Sequence, residues 1–88
     1  MQTLEKTLSQ IKDEKQMTAF LKDLLTPAEM KEFQNRWGIA QCLNEKELSY
    51  RDIAQKFGTS VTTVTRVARF LKDEPYKGYA SVLNKHHA

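Results

Sequence analysis

Five cations, Arg51, Lys56, Arg66, Arg69 and Lys72, stand against one acid, Asp52, in residues 49–72. This gives the segment a net charge of +4 in a chain whose total is +3. The stretches 1–25, 26–48 and 73–88 carry 0, −1 and 0. Charge spread evenly keeps a protein in solution, whereas charge gathered on one short segment is an electrostatic footprint for phosphate. Among these cations lie short hydroxyl side chains, Ser49, Ser60, Thr62, Thr63 and Thr65. Hydroxyls beside arginines suit base edges and phosphate oxygens. Ser49, Arg51, Ser60, Thr62, Thr63, Thr65, Arg66, Arg69 and Lys72 are therefore the candidate contacts to double-stranded DNA.

The elements that must position these residues read as a helix-turn-helix. Ser49 with Asp52 three positions later is a capping box that starts a short helix. Ile53, Ala54 and Phe57 repeat at helical spacing and supply its buried face. Gly58 follows the last apolar residue, where a helix commonly stops in a left-handed conformation. Thr59 and Ser60 are placed to cap the second helix. In that helix Val61, Val64, Ala68 and Leu71 share one face, Val67 and Phe70 flank it, and the threonines and arginines are left outward. Threonine is a mediocre helix former. Its repeated use on an outward face points to a purpose other than helix stability.

The remainder of the chain also reads as helices, giving an all-α fold of about six helices in a single domain over 1–88. Leu4, Leu8 and Ile11 mark the first helix, and Met17, Phe20, Leu21, Leu24 and Leu25 the second, with Asp13 and Gln16 at its start. Thr26-Pro27-Ala28-Glu29 combines an N-cap, a proline at the first helical position and a capping-box glutamate. The third helix is expected to run to about Leu43, lined by Met30, Phe33, Trp37 and Ala40 with Ile39 and Leu43 beside them. Residues 44–47 form a polar connection. Asp73-Glu74-Pro75 should stop the recognition helix and start a sixth helix over 75–85, carrying Tyr76, Tyr79, Val82 and Leu83. There are more apolar stripes than 88 residues can bury alone. This predicts a homodimer in which residues 1–43 supply the dimerisation and core helices. Two recognition helices about one DNA turn apart would then read a two-fold operator.

Other function classes find little support. There is no Gly-rich phosphate loop, no metal-ligand spacing and no Ser/His/Asp set, so an enzyme is not expected. Cys42, the only cysteine, lies in an apolar helical pattern and reads as a buried thiol suited to a reducing cytoplasm. His86 and His87 beside Lys85 read as a frayed tail with too few ligands for a metal. No apolar run approaches membrane-spanning length, and MQTLEKTLSQIKDEK at the start lacks the apolar stretch of a secretory leader, so a cytoplasmic location is expected.

The order of motifs resembles the Trp repressor family of bacterial regulators. The matching elements are LLTPAE (24–29), Arg36, LSYRDIAQKFG (48–58), TTVTR (62–66) and LK (71–72), placed without a gap. The resemblance implies an intertwined all-helical homodimer that represses transcription by binding an operator. In the family's tryptophan-binding member, arginines matching Arg36 and Arg66 sandwich the indole, and Thr26 and Thr63 match polar pocket residues. This chain departs from that pattern. Val67 replaces a glycine and Phe70 a serine, which adds volume and removes a hydroxyl. The recognition helix continues in the apolar manner of the YerC/YecD-like Trp-repressor homologues. No cofactor is therefore required, and L-tryptophan is disfavoured as a corepressor, with Phe70 expected to fill the pocket.

The main alternative is a helix-turn-helix serving as a protein-interaction module of a transcription complex. Such a docking helix should show apolar anchors, but the outward face of 60–72 shows threonines and arginines. An RNA-binding domain ranks third, since no aromatic stacking platform is visible.

Overall fold

The computed structural model describes residues 1–87, the last three by backbone alone, so the side chains of the His86–His87 tail lie outside the described residues. Six helices follow one another: α1 (Leu4–Gln10), α2 (Glu14–Leu24), α3 (Pro27–Glu45), α4 (Tyr50–Phe57), α5 (Val61–Lys72) and α6 (Gly78–His87). No strand occurs among the described residues.

Local chemistry explains most of the boundaries. Thr3, Asp13, Ser49 and Ser60 each accept a backbone N–H three residues on, from Lys6, Gln16, Asp52 and Thr63. Each such cap contributes about 1 kcal/mol. At the start of α3 the capping box closes in both directions. The Thr26 hydroxyl accepts the Glu29 N–H at 3.1 Å, and the Glu29 carboxylate accepts the Thr26 N–H at 2.9 Å. Gly58 ends α4 at φ 62° and ψ 39°, the left-handed conformation that glycine adopts cheaply. Its own N–H and that of Thr59 return to Gln55 and Ala54 at 3.2 and 2.9 Å.

Two boundaries differ from the sequence reading. α3 continues through Asn44 and Glu45 and stops where Lys46 turns left-handed at φ 61°. α6 begins at Gly78 instead of Pro75, because the chain first makes a tight turn. The Asp73 and Glu74 N–H groups both close on the Arg69 carbonyl, and Lys77 is left-handed at φ 60°. Tyr76 consequently lies in this turn, outside α6, and is exposed.

The chain divides into two compact units, Met1–Glu32 and Phe33–Ala88. The boundary falls inside α3. In the first unit α1 and α2 bury no residue, and Leu4 and Leu24 are each nearly half exposed. The second unit holds the core: Ile39, Ala40, Cys42 and Leu43 of α3, Ile53 and Ala54 of α4, and Val64, Val67 and Ala68 of α5. Trp37, Tyr50, Phe57, Leu71 and Tyr79 pack against it. Full burial of Ile39, Ile53 and Val64 contributes about 1.5–3 kcal/mol each. Cys42 is a buried free thiol, as expected, and the Lys56 ammonium lies 3.8 Å from its sulfur.

The core face is rotated from the expected one. Phe33 is exposed, and the buried α3 residues are those reached by α4 and α5. In α5, Val67 belongs to the core and Val61 does not. Gly38 lets α3 approach α4 closely: a Cβ there would lie 2.5 Å from the Phe57 ring.

Candidate nucleic-acid interface

The two helices that carry the charge pack directly on one another through Ile53 and Ala54 of α4 and Val64, Val67 and Ala68 of α5. This burial fixes the rotation of α5 and leaves Thr62, Thr65, Arg66 and Arg69 exposed. These four, with Val61, surround a surface concavity of about 310 Å³. A second concavity, of about 640 Å³, is lined by Ser49, Arg51, Asp52, Ala54, Gln55, Thr59 and again Val61. Six of the nine sequence-predicted residues thus fall into two groups that share Val61, whereas Ser60, Thr63 and Lys72 line neither concavity.

Hydrogen bonds distinguish the hydroxyls more finely than sequence did. Ser60 caps α5, and its Oγ lies 3.2 Å from Thr63 Oγ1, so these two hydroxyls engage each other. Thr65 donates its hydroxyl to the Val61 carbonyl at 3.0 Å. Of the three threonines only Thr62 has a hydroxyl with no hydrogen bond to another described residue. Ser49 is likewise occupied as the α4 cap, its Oγ accepting the Asp52 N–H at 3.1 Å.

The cations are also held. Phe70 lies beneath two guanidiniums, those of Arg66 and Arg69, each with its carbon 5.2 Å from the ring centroid. The other edge of the group is Tyr76, stacked on Phe70 at 6.4 Å and 16°. Glu74 accepts from Arg69 Nε at 3.2 Å. Lys72 reaches across to α4, with Nζ 3.5 Å from the Tyr50 hydroxyl and 5.9 Å from its ring centroid. Cation–π contacts at such exposed sites contribute about 0.5–1 kcal/mol. Their larger effect is to limit the rotamers of side chains that otherwise lose much entropy on binding.

Behind this face lies a cavity of about 370 Å³, lined by Arg36, Arg66, Val67, Phe70, Tyr76, Gly78 and Tyr79. It brings together the two arginines that the family resemblance paired, and Trp37 stacks on Tyr79 at 6.2 Å beside it. Phe70 is a wall of this cavity and does not occupy all of it. Thr63 is not part of the lining, and the Thr26 hydroxyl is engaged in its helix cap. Val61, Glu74, Tyr76 and the bridging role of Phe70 were not anticipated from sequence. Spacing alone places Tyr76 on the sixth helix, whereas it and Glu74 sit in the turn after α5.

A family model described as Trp repressor protein matches residues 1–87. The chain belongs to the Trp repressor family. It is 34% identical over 79 residues to the Trp operon repressor homolog of Chlamydia caviae, an alignment covering 88% of this chain and 78% of that protein. It is 39% identical over 61 residues to the homolog of Chlamydia trachomatis serovar D, covering 65% of each. The crystal structure of a TrpR-like protein from Eubacterium eligens matches with a TM-score of 0.86 and 31% identity, over 96% of this chain and 84% of that one. Membership in the Trp repressor family makes the protein a DNA-binding regulator and places it in a family of transcription regulators rather than of enzymes. No helix among the described residues is long and apolar enough to cross a membrane.

Proposed function

We propose that the protein is a sequence-specific transcriptional repressor that acts as a homodimer on a two-fold operator. The observation that carries this reading is the outward face of α5, where Thr62, Thr65, Arg66 and Arg69 are exposed on a helix fixed from behind by α4. The dimer is supported by α1 and α2, which bury nothing, and by the exposed Leu4 and Leu24 on them. Apolar faces of this kind call for a partner, and a second copy satisfies the two-fold geometry of helix-turn-helix operators. The cytoplasm, which holds bacterial DNA, suits the free thiol of Cys42.

The protein needs no corepressor. Arg66 and Arg69 are already ordered by the Phe70 ring that both guanidiniums lie over, the task a bound ligand would otherwise perform. L-Tryptophan is disfavoured because Val67 and Phe70 line the cavity between Arg36 and Arg66 with hydrocarbon and offer it no hydroxyl.

Titration of duplex DNA at several salt concentrations tests the reading. Each phosphate neutralised contributes about 0.9 to the slope of log affinity against log salt. Arg69→Ala should flatten that slope by about 0.9 per protomer, for specific and unrelated DNA alike. Thr62→Ala should change sequence preference, at about 1–3 kcal/mol where a base contact is lost. Unchanged affinity and slope in both variants would remove α5 from the interface.

A further inference from the structure

The concavities that flank the start of α5 share one branched aliphatic side chain. Val61 is 42% exposed, whereas Val64 and Val67, on the same helix, are 0% and 2% exposed. It is therefore not part of the core. It borders Thr62, Thr65, Arg66 and Arg69 on one side and Ser49, Arg51, Asp52, Gln55 and Thr59 on the other. A second copy of the chain docking on this valine would bring Arg51, Arg66 and Arg69 against their own like charges. A surface of opposite charge that also carries an apolar group meets no such obstacle.

Thr65 strengthens the argument. Its hydroxyl is bonded back to the Val61 carbonyl at 3.0 Å, so the group it offers outward is its methyl. The hydroxyls of Ser60 and Thr63 engage each other. The surface at the start of α5 is thus more apolar than its run of threonines suggests, and it is bounded by cations. In the major groove only thymine presents a methyl group among the base edges, while the surrounding phosphates are anionic.

We propose that Val61, with the methyl of Thr65, forms an apolar contact to the C5-methyl of a thymine and so determines one position of the operator. This rests on the DNA-binding reading. The valine supplies shape-selective contact, the arginines hold the register through phosphate or guanine, and Thr62 keeps a free hydroxyl for a neighbouring base.

The test begins with sequences selected by the native protein from a random duplex library. Each thymidine in the recovered operator is then replaced in turn by deoxyuridine, which removes the methyl and nothing else. Native protein, Val61→Ala and Thr65→Ser are titrated against every substituted duplex. Thr65→Ser keeps the hydroxyl bond and deletes only the side-chain methyl, and its exposed position leaves the fold intact. For the native protein one thymine in each half-site should lose about fourfold in affinity per methyl removed. Both variants should bind the unsubstituted operator more weakly and lose most of that sensitivity at the same position alone. An equal effect of deoxyuridine on all three proteins, or an operator with no thymine at a fixed position in each half-site, overturns the assignment. Failure of the native protein to enrich any sequence is seen at the selection step itself, and it removes the DNA-binding reading and this proposal together.

Discussion

Replacing Glu74 by glutamine should tighten DNA binding. Arg69 Nε and Glu74 Oε1 lie 3.2 Å apart, with the two side chains 55% and 33% exposed. At that spacing the Coulomb attraction in water is about 1.3 kcal/mol. Side-chain entropy and screening reduce the net value of such a pair to about 0.2–1 kcal/mol. A DNA phosphate that takes Arg69 must displace Glu74 and forgo that energy. Glu74→Gln returns it, which corresponds to about 1.4- to 5-fold in affinity per protomer and about 2- to 30-fold for a dimer using both arginines. The turn itself should survive, because the Glu74 N–H continues to reach the Arg69 carbonyl at 3.1 Å. Fluorescence anisotropy with a labelled duplex at about 50 mM and about 200 mM salt measures the effect, which should shrink at the higher concentration. Equal or weaker binding by Glu74→Gln would refute the competition argument and show that the carboxylate holds Arg69 in its productive direction.

Three further outcomes follow from the same geometry. Gly38→Ala should lower unfolding free energy in urea, because a Cβ 2.5 Å from the Phe57 ring costs about 1–3 kcal/mol of overpacking against about 1 kcal/mol of helix propensity gained; a stabilised variant would show that the ring simply swings aside. Calorimetry with L-tryptophan at millimolar concentration should give no isotherm for the native protein. The double change Val67→Gly with Phe70→Ser should enlarge the cavity and lower stability by a few kcal/mol, on the order of other core truncations, and a clear native isotherm coupled to operator binding would reverse the corepressor argument. Sedimentation at micromolar concentration should find a dimer, and deletion of residues 1–25 should leave an aggregated product; a stable monomer of the full chain contradicts the assembly.

Much of this was legible in the sequence because it is encoded locally. Asp13, Thr26 with Glu29, Ser49, Gly58 and Ser60 act within three or four residues of themselves, and each stands where its type and spacing placed it. The start of α6 was not legible, since a left-handed lysine at position 77 has no compositional signature. Nor was the exposure of Val61. Its spacing to Val64 puts it in phase with the core, yet at the first turn of α5 the covering residues of α4 no longer reach it. Gly38 owes its role to the Phe57 ring, 19 positions away in the chain, and Phe70 to the arginines and Tyr76 that gather on it. Such roles arise only when helices pack. The threonine hydroxyls were read as equivalent, and the hydrogen bonds of α5 separate them.

Selection of bound sequences from a random duplex library tests the central claim most directly. A dimer reading DNA through α5 should enrich a two-fold symmetric site, its half-sites about 10 base pairs apart from centre to centre, and Thr62→Ala should shift the enriched bases while Arg69→Ala leaves them unchanged at lower affinity. Enrichment of no sequence, or of a site without two-fold symmetry that neither variant alters, would contradict it.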